Sequence, residues 1–220
     1  MHRPPCVKPV LQRLAFVLAS LAATSAFAGR PLTVDDAGTN ARGEGHVEVW
    51  AARADGATTL NVAPAYALAE GLELSGALAR DTANRINAGA IQLKWLITPS
   101  KNDACNFGAS FGAARASGGG ADASFLNGLL SCNRNALGSV HLNLGAVKTS
   151  GVSPVGTWGI AFEHGFRAVT THIEWFGAEG SKPTLQIGAR GDVAKTVQLD
   201  ATVGRSAGVS LYSAGTKFKF

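Results

Sequence analysis

The chain reads as all-β: a closed, antiparallel, up-and-down transmembrane β-barrel of about twelve strands, reached after removal of an export signal. Three features predict this: the C-terminal end, the N-terminal end, and a run of short alternating segments between them. In residues 211–220, Tyr212, Ala214, Thr216, Phe218 and Phe220 fall on one face of a strand, and Ser213, Gly215, Lys217 and Lys219 on the other. The chain stops on an aromatic, as closing strands of bacterial outer-membrane barrels do. A water-soluble strand could carry the same alternation, so the pattern gains its weight from the other end of the sequence.

Residues 1–28 have the form of a cleaved secretory signal peptide. Arg3, Lys8 and Arg13 come with no acid, an apolar run follows over 14–23, and Ala26-Phe27-Ala28 forms a small-x-small cleavage site before Gly29. The run is shorter than the roughly 20 residues a membrane-spanning helix needs, so a mature chain in a membrane would cross it with strands. Cys6 lies ahead of the apolar run, which argues against a lipid-anchored cysteine. Three of the 20 Lys and Arg leave with the signal; 17 then face 15 Asp and Glu, a net charge near +2. No basic cluster remains, and a nucleic-acid partner is not expected.

Between the ends, segments of about eight to ten residues alternate with period two and stop at Gly, Pro, Asn, Asp or Ser. Strands are expected at 46–53, 58–68, 72–80, 86–98, 105–116, 123–134, 140–149, 156–166, 169–178, 184–192, 197–205 and 209–220. The domain plan is therefore a signal at 1–28, an N-terminal periplasmic segment or plug at 29–44 and a barrel at 45–220. With both termini periplasmic, turns near 70–71, 99–103, 135–138, 167–168 and 194–195 would face the periplasm. Those near 55–56, 81–85, 117–122, 150–154, 179–183 and 206–208 would face outward, all of them short.

Several strands sort into an apolar and a polar face. Ile91, Leu93, Trp95 and Ile97 alternate with Gln92, Lys94 and Leu96; Trp158, Ile160 and Phe162 with Gly159, Ala161 and Glu163. A soluble sandwich would turn the apolar face inward, a membrane barrel outward. The second reading is favoured because the other face is rich in Gly, Ala, Ser and Asn, and only 16% of residues are charged. Trp and Tyr also gather toward strand ends, where interfacial girdles form.

Two cysteines outlast the signal, Cys105 and Cys132, with Ser117-Gly118-Gly119-Gly120 midway. A hairpin turn there sets Phe107 opposite Leu130, Phe111 opposite Leu126 and Cys105 opposite Cys132. A cross-strand disulfide is expected in an oxidising compartment, the alternative being two buried thiols.

The lumen face would carry Glu48, Gln92, Lys94, His141, Asn143, Glu163, His172, Glu174 and Arg190, a set suited to a channel lining or to an ion-paired fill. Inward Trp50, Leu96, Phe125, Leu129 and Phe176 would grease the passage for small, partly apolar solutes. Barrels of about eight strands are filled by side chains and those of 16 to 18 are open; twelve lies between. A structural or adhesive barrel with a plugged lumen is the alternative, and an outer-membrane lipid hydrolase the rival of another class. Ser139, His141 and Asn143 alternate on one strand, but residues two apart stand about 6.5 to 7 Å from one another, too far for proton transfer, so no catalytic residue is assigned and no enzyme expected. His46, His141, His164 and His172 show no metal-site spacing, and no cofactor is expected.

The segment Arg30-Pro31-Leu32-Thr33-Val34-Asp35-Asp36-Ala37-Gly38-Thr39, followed by Gly43-Glu44-Gly45 and Val47-Glu48-Val49, resembles the start of mature proteins in the outer-membrane family linked to the meta-pathway of phenol degradation. Val34 departs from the Thr usual there. The resemblance implies a barrel ending on Phe, here Phe220, located in the outer membrane among its lipids and inserted by the barrel-assembly machinery through that strand. It also implies a transporter. It makes Asp35 and Asp36 candidates for a plug whose carboxylates pair with lumen bases; a solvated tail whose acids cap a turn is the other reading.

Overall fold

The computed structural model describes residues 32–98, 104–117, 122–134 and 137–220. The signal at 1–28, the turn at 99–103, and 118–121 and 135–136 of two further turns lie outside the described residues. Twelve strands follow in order: β1 Gly45–Ala54, β2 Ala57–Ala69, β3 Leu72–Asp81, β4 Asn87–Leu96, β5 Cys105–Ala116, β6 Ala123–Arg134, β7 Gly138–Thr149, β8 Val155–Phe166, β9 Val169–Ala178, β10 Thr184–Ala194, β11 Val197–Ser206 and β12 Val209–Lys219. Each pairs antiparallel with its sequence neighbours, and β1 also pairs with β12 from His46↔Lys219 to Ala54↔Leu211. The expected closed twelve-strand barrel is formed, with no helix among the described residues.

Every strand end falls within two residues of expectation, and the departures have local reasons. β4 stops at Leu96, beyond which the Ile97 and Thr98 amides both reach the single Phe107 carbonyl, at 2.9 and 3.2 Å. β10 runs on to Ala194 because a register shift between Asp192 and Ala194 lets the ladder resume against Val197. The tight turns at 55–56 and 207–208 hold both central residues at positive φ, 47° and 77° for Asp55 and Gly56, 49° and 90° for Ala207 and Gly208. Paired positive φ values give the turn twist that continues the right-handed twist of the flanking strands.

Alternation places the greasy side chains outside. Leu78 is 64% exposed, Leu144 76% and Leu126 58%, and Leu60, Ile91, Phe111, Ile173, Trp175 and Ile187 are likewise exposed. The opposite face buries Glu73, Gln92, Lys94, His141, His172 and Glu174. A protein surrounded by water would pay for such an inversion on both faces. In hydrocarbon the outer face is at home, and closure leaves no strand with unpaired backbone groups. Trp158 and Trp175 pack edge to face on this exterior, with ring centroids 4.9 Å apart. What apolar core there is lies inside: Leu32, Val34 and Ala161, with Phe176 against them.

The β5–β6 register is the one expected from the turn: Phe107↔Leu130, Phe111↔Leu126 and Cys105↔Cys132. The Cys105–Cys132 disulfide is present, 27 residues apart in sequence, on the outward face shared by Phe107 and Phe111. A crosslink closing a loop of that size lowers the entropy of the unfolded chain by roughly 3 to 4 kcal/mol equivalent. The double variant Cys105→Ser/Cys132→Ser should therefore still migrate as a compact barrel in unheated gel electrophoresis but unfold at lower denaturant. Equal midpoints with and without reductant would show that the bond contributes nothing.

Candidate functional site

The lumen wall is built by the residues alternating inward on all twelve strands, and residues 32–40 pass through the space they enclose. Those residues form no strand, so their backbone amides need side-chain acceptors, which the wall provides. Asn40 donates to Glu73 Oε2 of β3 through its amide N–H, 2.9 Å, and its side chain, 2.8 Å, and its side-chain nitrogen lies 2.9 Å from His46 Nδ1 of β1. The Ala37 N–H donates to Ser131 Oγ of β6 at 2.8 Å. Asn143 of β7 clasps Asp35 as a neighbouring strand would, accepting its N–H on Oδ1 and donating Nδ2 to its carbonyl, both at 2.7 Å. At the far wall, Glu174 Oε2 of β9 accepts both the Thr33 and Val34 amides at 2.6 Å, and Gln186 of β10 donates to Thr33 Oγ1 at 3.0 Å. The strap thus runs from β1 and β3 to β9 and β10, across the barrel.

Two glycines make room for it. A Cβ on Gly159 would stand 2.7 Å from Val34 Cγ2, and one on Gly108 3.4 Å from the Ala37 carbonyl oxygen. A side chain at Gly159 would push Val34 off the wall, whereas one at Gly108 would meet the Trp95 carbonyl first, at 3.0 Å, and the strap at ordinary contact distance.

The strongest electrostatic contact is buried. Lys94 Nζ of β4 lies 2.7 Å from Asp35 Oδ1 and 3.7 Å from Asp36 Oδ1, and Glu73 is its cross-strand neighbour. Burial pushes the Asp35 carboxyl up to about 6 against the pull of the Lys94 ammonium, with Asp36 and Glu73 adding repulsion. One cation therefore faces three carboxylates. Elsewhere on the wall Lys217 Nζ pairs with Glu48 Oε1 at 2.8 Å, with His46 Nε2 3.5 Å from the same oxygen.

Ser131, which alternation alone did not single out, joins a relay. Its Oγ is 2.8 Å from His141 Nδ1, His141 Nε2 is 3.3 Å from Glu163 Oε2, and Arg190 grips Glu163 with Nη1 at 2.8 Å and Nη2 at 3.0 Å. The signal that could have found it is the register Ser131↔His141 between β6 and β7; Ser139, by contrast, faces Glu163 across β8. Serine, imidazole and carboxylate stand in the order of a nucleophile relay. Here the Ser131 oxygen already accepts the Ala37 N–H and is buried beneath the strap, so the arrangement acts as a latch for the strap. Among the described residues, no cluster of His, Cys, Asp and Glu suits a metal ion.

The remaining sequence candidates are placed as follows. Gln92, His172 and Glu174 are buried in the wall, while Asn143 and Arg190 are half-buried. Ser75, Gln92 and Ser110 cluster on β3, β4 and β5, with Ser75 opposite Gln92 and Ser110 opposite Lys94. Their buried polar atoms have no hydrogen-bond partner among the described residues, which makes them the groups a polar guest would satisfy.

Removing Lys94 leaves the buried Asp35 and Glu73 carboxylates and the partly exposed Asp36 without their ammonium, whereas removing Asp35 leaves Asp36 and Glu73 to face it. Lys94→Met should weaken strap seating by about 3 to 5 kcal/mol, seen as fast hydrogen exchange across residues 32–40. Asp35→Asn should lose less, and Gly159→Val should release the strap while leaving strand exchange unchanged. Equal exchange for Lys94→Met and wild type would show that the ion pair does not hold the strap.

No curated protein matches the sequence. Solved structures share the fold: a KdgM porin in complex with disordered oligogalacturonate has a TM-score of 0.72 at 14% identity, covering 80% of this chain and 99% of that one. A NanC porin has 0.64 at 10%, covering 79% and 100%, and outer membrane protein Omp33 of Acinetobacter baumannii has 0.59 at 9%, covering 83% and 100%. At these identities the likeness is one of fold, that of outer-membrane porins. A family model matches residues 14–210, and the chain belongs to that family, described as Uncharacterised conserved protein UCP029691.

Proposed function

We propose that this chain is a porin-like channel of the outer membrane, narrowed by its own N-terminal strap, for small and partly apolar solutes. The observation that carries the reading is a polar wall facing the lumen, incompletely satisfied by protein at Ser75, Gln92 and Ser110, inside an exterior made for hydrocarbon. The fold shared with porins supports it. The strap limits the solute to a size below that of a bulky sugar, and inward Trp50, Phe125, Leu129 and Phe176 offer apolar contact along the way. With N- and C-terminal strands joined at one end of the barrel, both termini would lie on the periplasmic side.

Charge also separates this lumen from one that carries an acidic saccharide such as the oligogalacturonate seen with KdgM. Glu48, Glu73, Glu163, Glu174, Asp192 and Asp200 point inward against Lys94, Arg190, Lys217 and Lys219, and the strap adds Asp35 and Asp36. An acidic wall favours cationic or neutral solutes. A plugged, structural barrel is the second reading, favoured by the buried Lys94–Asp35 pair that pins the strap.

Planar-bilayer recording separates the two. Wild type should give small, cation-selective steps in a salt gradient, and deletion of residues 32–40 should enlarge them several-fold. A wild type and a deletion variant both indistinguishable from empty bilayer would overturn the channel.

A further inference from the structure

The exterior of the barrel differs between its two ends in a way the channel does not require. At the end formed by the 55–56, 150–154 and 206–208 connections, the penultimate residue of β1, β3, β5, β7 and β11 is Arg53, Arg80, Arg115, Lys148 and Arg205 respectively. Each sits on the outward register, opposite or beside outward residues of the adjoining strands: Arg53↔Tyr212, Arg80↔Leu60, Lys148↔Ser124 and Arg205↔Ser210. All five side chains are exposed. Of the upward-running strands only β9 breaks the series, with Gly177. At the other end the outward positions include Leu68, Trp95, Phe107, Phe166, Val169 and Phe218, among which stand Arg134 and His164, with Arg167 and Lys195 on the turns beyond. Among the described residues, the regular series of basic side chains at matching strand positions, a basic collar, is found at the first end, next to the apolar belt.

We infer that this collar binds the phosphate groups of an anionic phosphorylated saccharolipid in the facing leaflet. The collar's height, one residue from the strand ends and adjoining the apolar belt, is where headgroup phosphates lie when acyl chains pack against the belt. Arginine predominates, and its planar fork matches phosphate oxygens in a way that a mobile ammonium does not. The site is most developed at the closing seam. Arg53 and Arg205 flank β12 on either side, with Tyr212 and Ser210 between them, and a surface cleft of about 340 Å³ opens on the Arg53 side, lined by Arg53, Ser210, Tyr212 and the turn residues Asp55, Gly56 and Gly208. Arg53 and the Ser210 and Tyr212 hydroxyls offer donors to a phosphorylated sugar there, Arg205 adds a second guanidinium across β12, and Asp55 at the turn leaves the net charge of the seam positive. Asp122 reaches Arg115 at 3.3 Å, but both side chains are more than half exposed, and such a pair yields readily to a competing dianion. Lys148 Nζ donates to the Val152 carbonyl at 2.6 Å, which places its charge at the rim.

The inference rests on the membrane placement of the barrel and not on conduction. It assigns the collar end to the leaflet that carries phosphorylated saccharolipid, and so the termini to the opposite side. Native mass spectrometry of the full mature barrel in neutral detergent tests it, with bisphosphorylated lipid A and dephosphorylated lipid A added separately. Wild type should retain at least tenfold more of the bisphosphorylated lipid. Arg53→Gln/Arg205→Gln should lose most of that excess, the fivefold Gln variant all of it, and Arg134→Gln/Arg167→Gln none. Unheated gel migration checks that each variant is folded. Equal binding of the two lipids to wild type overturns the inference whatever the variants do, as does an excess that survives in the folded fivefold variant. A mature chain that stays soluble without detergent would instead remove the membrane placement itself.

Discussion

Backbone hydrogen bonding in a medium without water is the constraint on which everything else in this structure depends. A strand edge facing hydrocarbon would leave a row of amides and carbonyls with nothing to bond. The β1–β12 pairing, His46 with Lys219 through Ala54 with Leu211, removes that edge and closes the twelve strands into a barrel. Once the sheet is shut, period-two alternation has only two destinations, lipid and lumen. The same geometry that sends Leu78 and Leu144 outward sends Glu73, Lys94 and His141 into the middle. The polar interior is thus a consequence of closure, and its charges need partners because closure has taken them out of bulk water.

The strap is the wall's answer to part of that need. Its backbone has no strand of its own to bond, and the wall's side chains have more acceptors than they can satisfy among themselves. Asn143 and Glu174 each take two contacts from it. Each set of groups would be costly alone in a dry interior; together they are largely satisfied. At Ser75, Gln92 and Ser110 buried polar atoms find no hydrogen-bond partner among the described residues, and there the wall is least satisfied.

Much of the architecture can be read from residues alone because it is encoded over short distances. Alternation and turn residues define each hairpin locally, and the glycine turn between Cys105 and Cys132 is enough to predict their pairing, which the register repeats pair by pair. The slip at Asp192 is not visible, since nothing in the residues at 192–194 announces a bulge. The strap's contacts are beyond local reading for a plainer reason. Thr33 to Glu174 spans 141 positions and Ala37 to Ser131 spans 94, and which wall residue meets which strap residue follows from barrel tilt and diameter, quantities with no local signature. Ser131 is an instance: a serine between leucine and cysteine carries no local signal, and its role follows only from His141 standing opposite it on β7.

Those long separations also imply an order of events. The seat for Thr33 and Val34 is assembled from β8, β9 and β10, the last third of the chain to be synthesised, while the seat for Asn40 belongs to β1 and β3. Neither half exists as a facing pair of surfaces until the cylinder is complete. The stretch that leaves the ribosome before any strand is consequently the final piece to settle, and its immobilisation reports that all the rest has found its place.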